Sequence, residues 1–509
     1  MNEALARVPD LLAAHVQLSV AALALALLIG LPLAVAAARR PKLAKVALGF
    51  ASLVQTIPAL ALLALFYPML LALSALIGGG IPALGFLPAL LALTLYALLP
   101  ILRNAVTGLV GIDPAIIEAA DGMGMTPMQR LRLVEAPLAL PVAMAGIRTA
   151  AVWTVGAATL ATTVGQPCLG DLIFAGLQTQ DWTLVLTGCA AAALLALLAD
   201  GLLSLAEHGL RARRRGPVIG ALVVLAGGLL LALAPLARRD GPVVTIGAKN
   251  FSEQFILAQL IGRRLEAAGY RVRYREGLGS AVIFRALEAG DIDVYVDYAG
   301  TIWTNEMKRG DVPAAKRMIA DIGTWTARGN RVSLLGPLGF ENSYAFTIRA
   351  ADSKRLGLRT LDDLAAQSPS LRLGTDIEFL ERPEWAMTKA AYPMRFAEAR
   401  PFQPTMMYNA LESGRVDAIT AFSSDGRIAA DGLVTLTDTK GAIPSYDALL
   451  LVGRGRAADP RFVAALRPLL NHISVARMRQ ANYRVDRASG KQSPAQAAAW
   501  LAEGLGKEN

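Results

Sequence analysis

Charged residues are scarce in this chain of 509 amino acids: they make up 18% of it, whereas hydrophobic residues make up 54%. Soluble globular proteins contain about 25% charged and roughly 45–50% apolar residues, so the composition argues against a single soluble enzyme. The scarcity is confined to one part of the chain, because residues 1–242 hold only 26 of the 90 charged side chains. We therefore predict a membrane region followed by a soluble region large enough for two lobes.

Cysteine and histidine are also rare. Cys168 and Cys189 are too few for a disulfide framework and lie in the apolar half, where we expect them to be small packing residues. His15, His208 and His472 are far apart, and no metal-ligand spacing connects them, so no metal site is predicted. The net charge of +10 could indicate nucleic acid, but the basic residues of the first half cluster beside apolar segments. We predict contact with membrane lipid and no binding of nucleic acid.

Uncharged stretches long enough to cross a bilayer, about 20 residues each, recur along the first half. One is 18–38, and the charge-free stretch 46–102 is long enough for two spans separated by a turn at Gly78-Gly79-Gly80-Ile81-Pro82. Three further spans are predicted at about 138–164, 182–205 and 217–236. Pro58 and Pro68 predict a kink or a break in the second span.

Lysine and arginine mark the loops that stay in the cytoplasm. They follow spans one, three and five, whereas the loops 78–82 and 166–181 contain none. Six spans in this orientation place the N-terminus and everything after residue 236 outside, so we expect an inner-membrane protein with an extracytoplasmic C-terminal domain. Two charges near spans, Arg148 and Asp200, either line a translocation path or pair near the interface. The basic loop residues are Arg39, Arg40, Lys42 and Lys45, then Arg103, Arg130 and Arg132, then Arg211, Arg213, Arg214 and Arg215.

The cytoplasmic loop between spans three and four has the pattern of a docking element. Asp113-Pro114 predicts a helix start, Gly124 a helix end, and Thr126-Pro127 the start of a second short helix. By this pattern alone an ordinary amphipathic interface helix is an equally good interpretation. The series also contains Glu118-Ala119-Ala120, then three residues, Gly124, nine residues and Val134-Glu135-Ala136-Pro137.

That series resembles the coupling-loop motif of ABC importer permeases, with Val134 and Ala136 as mild departures. The resemblance implies that Glu118 and Gly124 seat the loop in a groove of an ATPase subunit. The phosphate-binding motif G-x-x-x-x-G-K-[ST] does not occur in the sequence. We therefore expect no catalytic residues and no cofactor in this chain, with ATP bound and hydrolysed by cytoplasmic ABC ATPase subunits.

Strand and helix patterns alternate from residue 243 onward. Predicted strands at 243–247, 271–275 and 292–296 flank predicted helices at 251–268 and 281–289. The segment 286–293 lines up with 410–417, and each is a helix end, a glycine C-cap and a strand start. In this register Tyr298 and Phe422 both follow a strand, at the sheet edge where open α/β sheets bind ligands. Two lobes that each offer one ring describe a clamshell receptor, unless both rings are core residues of a simple duplication.

This region resembles the substrate-binding proteins of quaternary-amine importers, those for glycine betaine, choline and carnitine. The resemblance covers nearly all of 243–505 and is carried by GAKNFSEQ (247–254), VDYAGT (296–301), ENSYA (341–345), ERP (381–383) and SSDGR (423–427). In that family four aromatic residues surround the quaternary ammonium and polar residues bind the carboxylate. The resemblance implies the first role for Tyr298, Tyr344, Phe422 and Tyr446, and the second for Lys249, Thr301 and Arg382.

The chemistry suits these residue types. A trimethylammonium group has no N–H donor, so aromatic ring faces recognise it, each contributing on the order of 2 kcal/mol when desolvated. A carboxylate needs fixed donors, which arginine and lysine supply. Phe422 departs from the commoner tyrosine of the family, and Arg382 could equally pair with Glu381 or Glu384.

The predicted organisation is an all-α ABC-importer membrane domain over 1–216, with its coupling loop at 113–137, and a sixth span and linker over 217–242. An α/β domain of the two-lobed, type II periplasmic-binding-protein class follows over 243–509. Lobe I is about 243–343 and 447–509, and lobe II about 344–446. The resemblance implies import of a betaine-type compound through a permease homodimer. Three alternatives stay open: an ergothioneine importer of the same architecture, a polar amino-acid importer using Asp297, and a solute-sensing receptor.

Overall fold

A computed structural model describes residues 2–77, 80–179, 181–212, 214–237, 243–329, 331–487 and 489–505. These residues form two compact units, one in the N-terminal membrane region and one in the C-terminal α/β region. Four sequence features lie outside the described residues: Gly78-Gly79 of the predicted turn, Arg213 of a basic loop, linker residues 238–242, and the C-terminal residues 506–509.

Six helical segments of the first unit are long and apolar enough to cross a membrane, which confirms the six predicted spans. They are Leu5–Ala38, Ala59–Leu76, Phe86–Val110, Pro127–Val164, Trp182–Arg211 and Arg215–Ala234. A π-helical turn at Leu131–Glu135 and a 3₁₀ turn at Thr159–Val164 flank the seventh helix. The helices are α1 (Asn2–Ala38), α2 (Pro41–Thr56), α3 (Ala59–Leu76), α4 (Phe86–Val110), α5 (Pro114–Gly122), α6 (Pro127–Arg130), α7 (Ala136–Ala158), α8 (Gly170–Gln178), α9 (Trp182–Arg211) and α10 (Arg215–Ala237).

Pro58 interrupts the predicted second span. The backbone is extended at Ile57 and Pro58 between α2 and α3, because a proline disfavours helical geometry in the residue before it. Pro68 lies inside α3 without ending it. The helix α8 has no counterpart in the sequence-based prediction, which treated 166–181 as a loop.

Two sequence expectations in the membrane region have different outcomes. Cys168 is buried, but Cys189, on α9, is exposed, so the packing prediction is wrong for Cys189. Arg148 on α7 contacts Asp200 and Glu207 on α9, each at 2.9 Å. This geometry supports pairing rather than a free charge along a path.

The second unit contains ten strands and thirteen helices within its described residues. The strands are β1 (Val243–Lys249), β2 (Arg271–Leu278), β3 (Val294–Tyr298), β4 (Val332–Glu341), β5 (Tyr344–Arg349), β6 (Arg372–Asp376), β7 (Glu398–Phe402), β8 (Ala418–Phe422), β9 (Leu433–Thr435) and β10 (Asp447–Gly453). The helices are α11 (Ser252–Ala267), α12 (Ser280–Ala289), α13 (Ala299–Thr301), α14 (Ala315–Gly329), α15 (Ala350–Leu356), α16 (Leu361–Gln367), α17 (Pro383–Ala391), α18 (Pro404–Glu412), α19 (Gly426–Ala430), α20 (Arg454–Ala457), α21 (Pro460–Leu466), α22 (Val475–Asp486) and α23 (Pro494–Gly504).

The strands form two five-stranded mixed sheets with the same arrangement. Their orders are β2-β1-β3-β10-β4 and β7-β6-β8-β5-β9. In each sheet the three parallel strands are followed by an antiparallel strand, β10 or β5, which the chain enters on crossing from the other lobe. The chain passes between the sheets after β4 and before β10. This arrangement confirms the predicted α/β class with two similar lobes.

The internal repeat has a structural basis that extends beyond its glycines. Gly290 and Gly414 both adopt left-handed backbone angles, with φ of +81° and +71°, where a helix ends. The aspartate that follows in each copy accepts a backbone N–H from the middle one of the three parallel strands, from β1 at 2.7 Å for Asp293 and from β6 at 2.9 Å for Asp417. Strand β3 begins at Val294, two residues later than predicted, because Asp293 serves this bridging role. Tyr298 and Phe422 are the last residues of β3 and β8.

Gly426, the first residue of α19, provides a test of the packing beside the lobe interface. A Cβ there would overlap the backbone of Asn482 and Tyr483 on α22. Since backbone atoms cannot rotate away, we expect Gly426→Ala to lower the free energy of unfolding by roughly 1–3 kcal/mol. Thermal unfolding of the purified chain measures this loss. Gly310→Ala is the control, because that glycine is exposed with open space around it. An unchanged melting temperature for Gly426→Ala would contradict the packing.

Candidate functional site

One cavity of about 170 Å³ lies between the two lobes. All seven residues that the sequence resemblance assigned to ligand binding line it, although they are spread over almost 200 positions of the chain. They are Lys249, Tyr298, Thr301, Tyr344, Arg382, Phe422 and Tyr446. The fold therefore brings these residues together in one cavity.

Strand ends position the four predicted rings. Tyr298 ends β3 and Phe422 ends β8, whereas Tyr344 begins β5 and Tyr446 immediately precedes β10. Tyr344 and Phe422 are direct partners across the antiparallel β5–β8 pair, so their rings lie on the same face with centroids 5.0 Å apart. Tyr344 also meets Tyr446 edge to face at 5.7 Å.

A fifth ring, Phe251, was missing from the sequence-based site. It lines the cavity and stacks on Phe422, at 5.8 Å and 13°, and on Tyr298, at 6.2 Å and 28°. The five rings thus form a continuous series from Tyr298 to Tyr446. Its position in the sequence could have indicated this role, because Phe251 follows Lys249 by two residues within the GAKNFSEQ segment.

The two predicted carboxylate-binding cations already have acidic partners. Lys249 Nζ contacts Asp297 Oδ1 at 2.5 Å, and both side chains are almost fully buried. Arg382 contacts Glu384 at 3.1 Å and Glu378 at 3.2 Å. Glu384 is one of the two acids that the sequence offered as a partner, and Glu378 was not expected.

Arg382 nevertheless faces the residues proposed to bind with it. Its Nη2 donates to the Thr301 hydroxyl at 3.3 Å and to the Tyr446 hydroxyl at 3.4 Å. Its guanidinium carbon lies 5.5 Å from the Tyr344 ring centroid. The Tyr446 hydroxyl in turn donates to Glu384. A ligand carboxylate would therefore share a guanidinium that is held in place by Glu384 and Glu378.

The loop predicted to dock on an ATPase is a helix–turn–helix in the first unit. Asp113 caps α5 by accepting the Ala115 N–H, and Thr126 begins α6, as the sequence predicted. Thr126 and Gln129 also form a capping box there. Gly124, between the helices, has a left-handed φ of +75°. Glu118, Ala119 and Pro137 are exposed and Ala120 is buried, so α5 presents Glu118 and Ala119 on its surface.

Comparison with known proteins agrees with both halves of the chain. Residues 242–503 match the family described as the substrate-binding domain of ABC-type glycine betaine transport systems. Residues 26–212 match the binding-protein-dependent transport system inner membrane components. This chain belongs to the ABC importers in which a permease is joined to a binding domain of the glycine betaine family. As a member, it is a multi-pass inner-membrane transport component with an extracytoplasmic binding domain, as predicted.

Similar proteins differ in how much of this importer they cover. The ergothioneine transport permease/ergothioneine binding protein EgtU of Helicobacter pylori (strain G27) is 30% identical over 85% of this chain and 78% of its own length. The glycine betaine/carnitine/choline permease OpuCB of Bacillus subtilis (strain 168) is 40% identical over 38% of this chain and 84% of its own length. A solved glycine betaine/carnitine/choline ABC transporter structure is 29% identical over 51% of this chain and 97% of that chain, with a TM-score of 0.45.

A buried glutamate of the importer, Glu253, holds the Tyr298 ring in place through a hydrogen bond to its hydroxyl. Glu253 Oε1 accepts the Tyr298 hydroxyl at 2.6 Å and the Asn342 amide at 3.0 Å. Its Oε2 accepts the Ser424 hydroxyl from lobe II at 2.6 Å and the Asn482 amide at 2.7 Å. Burial raises the pKa of Glu253, and the four hydrogen bonds oppose that rise. Like Phe251, Glu253 belongs to the GAKNFSEQ segment, and the sequence assigns it no role.

Two further carboxyl groups, those of Asp425 and Asp486, are buried next to this network. Asp486 Oδ1 accepts the Ser252 hydroxyl at 2.6 Å, and Asp425 accepts the Tyr408 hydroxyl at 2.5 Å. Burial and then the neighbouring charge of Asp425 raise the pKa of Asp486 to about 7, while Arg427 and Lys491 act in the opposite direction.

The Asp486 carboxyl makes the stability of the binding domain depend on pH. The folded domain holds its proton up to about pH 7, whereas the ordinary pKa is 3.8. Unfolding therefore releases a proton between these values, and stability falls as pH rises through this window. We expect the melting temperature to decrease from pH 5 to pH 8. In Asp486→Asn, the decrease in the free energy of unfolding over this range should be smaller by roughly 2–4 kcal/mol.

Thermal unfolding across this pH range checks the expectation. Asp311→Asn is the control, because the pKa of the exposed Asp311 is lowered by Arg309 and it stays ionised throughout. An equal pH dependence in wild type and Asp486→Asn would contradict the assignment.

Proposed function

We propose that this chain is the permease and solute-binding subunit of an ABC importer for a trimethylammonium compound of the betaine type. The observation that carries the proposal is the series of five aromatic rings lining one cavity between the lobes together with Arg382. Ring faces attract a cation that has no hydrogen-bond donor, and the attraction grows when water is excluded. Tyr298, Tyr344 and Tyr446 are each no more than 5% exposed, so the rings are already desolvated.

Arg382 and Thr301 suit the other end of such a ligand. A carboxylate placed beside them could accept hydrogen bonds from Nη2 and from the hydroxyl. Lys249 contributes less directly, because its charge is balanced by Asp297 and its Nζ lies 5.4 Å from the Tyr298 ring centroid. We therefore assign Arg382 the main carboxylate contact and Lys249 the support of Tyr298.

Glycine betaine, choline, carnitine and ergothioneine are the candidate substrates. The ergothioneine protein of Helicobacter pylori resembles both halves of this chain, whereas the choline and carnitine permease resembles the membrane half alone. That difference favours ergothioneine as the second candidate within the same class.

The amino-acid alternative loses its proposed ammonium partner. Asp297 is not among the residues lining the cavity, and it already accepts hydrogen bonds from Lys249, the Tyr295 hydroxyl and the Tyr298 N–H. A sensing receptor without transport is disfavoured by the exposed coupling loop, which a receptor would not need.

Transport requires energy from another subunit. We propose that Glu118, Ala119, Ala120, Gly124 and Pro137 belong to the surface element that docks on a cytoplasmic ABC ATPase, which binds and hydrolyses the ATP. Two permease copies would form the pathway as a homodimer surrounded by lipid, and this chain would need no cofactor of its own.

Replacing one ring tests the recognition of the cation. We expect Tyr344→Leu to weaken binding of the trimethylammonium ligand at least tenfold, because leucine keeps the apolar contact but has no ring face. Tyr344→Phe keeps the face and should stay within about threefold of wild type. Calorimetry on the purified full-length chain with glycine betaine, choline, ergothioneine and glutamine measures both. Tyr483→Leu, on the exposed surface of α22, is the control. Binding of glutamine alone would refute the proposed function.

Reversing the charge of Glu118 tests the coupling loop. We expect Glu118→Arg to reduce ATP-driven uptake into proteoliposomes at least tenfold, because it places a repulsive charge at the docking surface. Glu118→Gln should have a smaller effect. Ligand affinity should be unchanged in both variants, since Glu118 lies in the first unit and the cavity in the second. Normal uptake by Glu118→Arg would contradict the assignment.

A further inference from the structure

Asp376 is a carboxylate of the ligand cavity that the betaine pattern does not use. It ends β6, lines the cavity and is only 6% exposed. Its Oδ1 accepts the backbone N–H groups of Glu378 and Phe379, at 2.8 and 2.9 Å. Its Oδ2 is buried and accepts no hydrogen bond from any residue that the structure describes.

The protein has little with which to pair this oxygen. Arg382 is engaged by Glu378, Glu384 and Thr301, and Lys249 by Asp297. Burial raises the pKa of Asp376, and hydrogen bonding by the Glu378 N–H and the Tyr344 hydroxyl partly opposes the rise. The Tyr344 hydroxyl therefore lies close to the carboxyl group, but it does not meet Oδ2 with hydrogen-bond geometry. An unpaired buried acceptor is costly, so a donor supplied by a ligand would be favoured at this position.

A second acceptor in the same cavity supports this interpretation. Asn342 donates its amide to Glu253, and its Oδ1 is buried without a partner among the described residues. The cavity therefore combines aromatic ring faces, which suit a cation, with two buried hydrogen-bond acceptors that lack a donor among the described residues. A ligand made only of methyl groups and a carboxylate leaves both acceptors unpaired.

We propose that Asp376 is a specificity-determining residue that selects trimethylammonium ligands bearing an N–H or O–H donor over those bearing none. The proposal rests on the proposed function and narrows its substrate class. The imidazole-thione of ergothioneine offers an N–H and choline offers a hydroxyl, whereas glycine betaine offers neither. A site built to accept a ligand's hydrogen discriminates strongly against the analogue that lacks it, because the buried acceptor then stays unpaired.

Asp376→Asn tests this role with almost no change in shape. The asparagine oxygen must occupy the Oδ1 position to keep the two backbone hydrogen bonds. Its NH₂ group then occupies the Oδ2 position, so a donor meets the donor of the ligand. Asp376→Ser is a second variant, since a serine hydroxyl can still accept a backbone N–H two residues on, but it extends less far into the cavity.

Calorimetry on the full-length chain with glycine betaine, choline and ergothioneine gives the readout. We expect wild type to bind at least one donor-bearing ligand ten or more times tighter than glycine betaine. Asp376→Asn should weaken that ligand at least tenfold and change glycine betaine by less than threefold, which also shows that the variant is folded. If Asp376→Asn misfolds, Asp376→Ser should show the same selective loss.

Three results would overturn the role of Asp376. In the first, the variants weaken binding of all three ligands equally, as loss of a general counter-charge would. In the second, they weaken binding of none of them. In the third, wild type binds glycine betaine as tightly as the best donor-bearing ligand. Failure of wild type to bind any of the three, with binding of glutamine, would instead overturn the proposed function itself.

Discussion

Under the proposed function, recognition depends on aromatic ring faces held in fixed positions, and the Glu253 carboxylate holds the Tyr298 ring by accepting its hydroxyl. It accepts the tyrosine hydroxyl while also accepting donors from Asn342, Asn482 and, across the lobe interface, Ser424. A buried carboxylate is tolerated only when such donors satisfy it. The same contacts that stabilise Glu253 therefore hold the two lobes in register around the cavity and set the orientation of a ring.

Ion pairs that are partly exposed serve a similar organising role in the membrane region. Glu135, just before α7, contacts both Arg39 and Arg130, and Arg130 also contacts Asp121 at the end of α5. These pairs connect the coupling loop to the segment that follows the first span and to the start of the fourth span. Arg148, Asp200 and Glu207 join α7 to α9 in the same way.

The sequence predicted the spans, the two lobes and seven cavity residues, because hydrophobic length, glycine C-caps and matched segments are local signals. It missed Phe251, Glu253 and Asp376, whose importance depends on tertiary neighbours. Phe251 matters because Tyr298 and Phe422 lie on either side of it, and Asp376 because one of its oxygens accepts no hydrogen bond from the residues that the structure describes. The sequence could name Glu384 as a partner of Arg382, but not Glu378, since that contact is set by the 3₁₀ turn at Phe379–Glu381. Cys189 was misassigned because apolar surroundings in sequence do not distinguish the inner from the outer face of a membrane helix.

The central claim is that ring faces recognise a positive charge rather than a shape. The most direct measurement compares the affinity of the full-length chain for choline and for 3,3-dimethylbutanol, in which a carbon replaces the charged nitrogen. If the rings act through their quadrupoles, choline binds at least tenfold tighter, since the two ligands differ little in size. Equal affinities would contradict the account and reduce the five rings to an apolar lining.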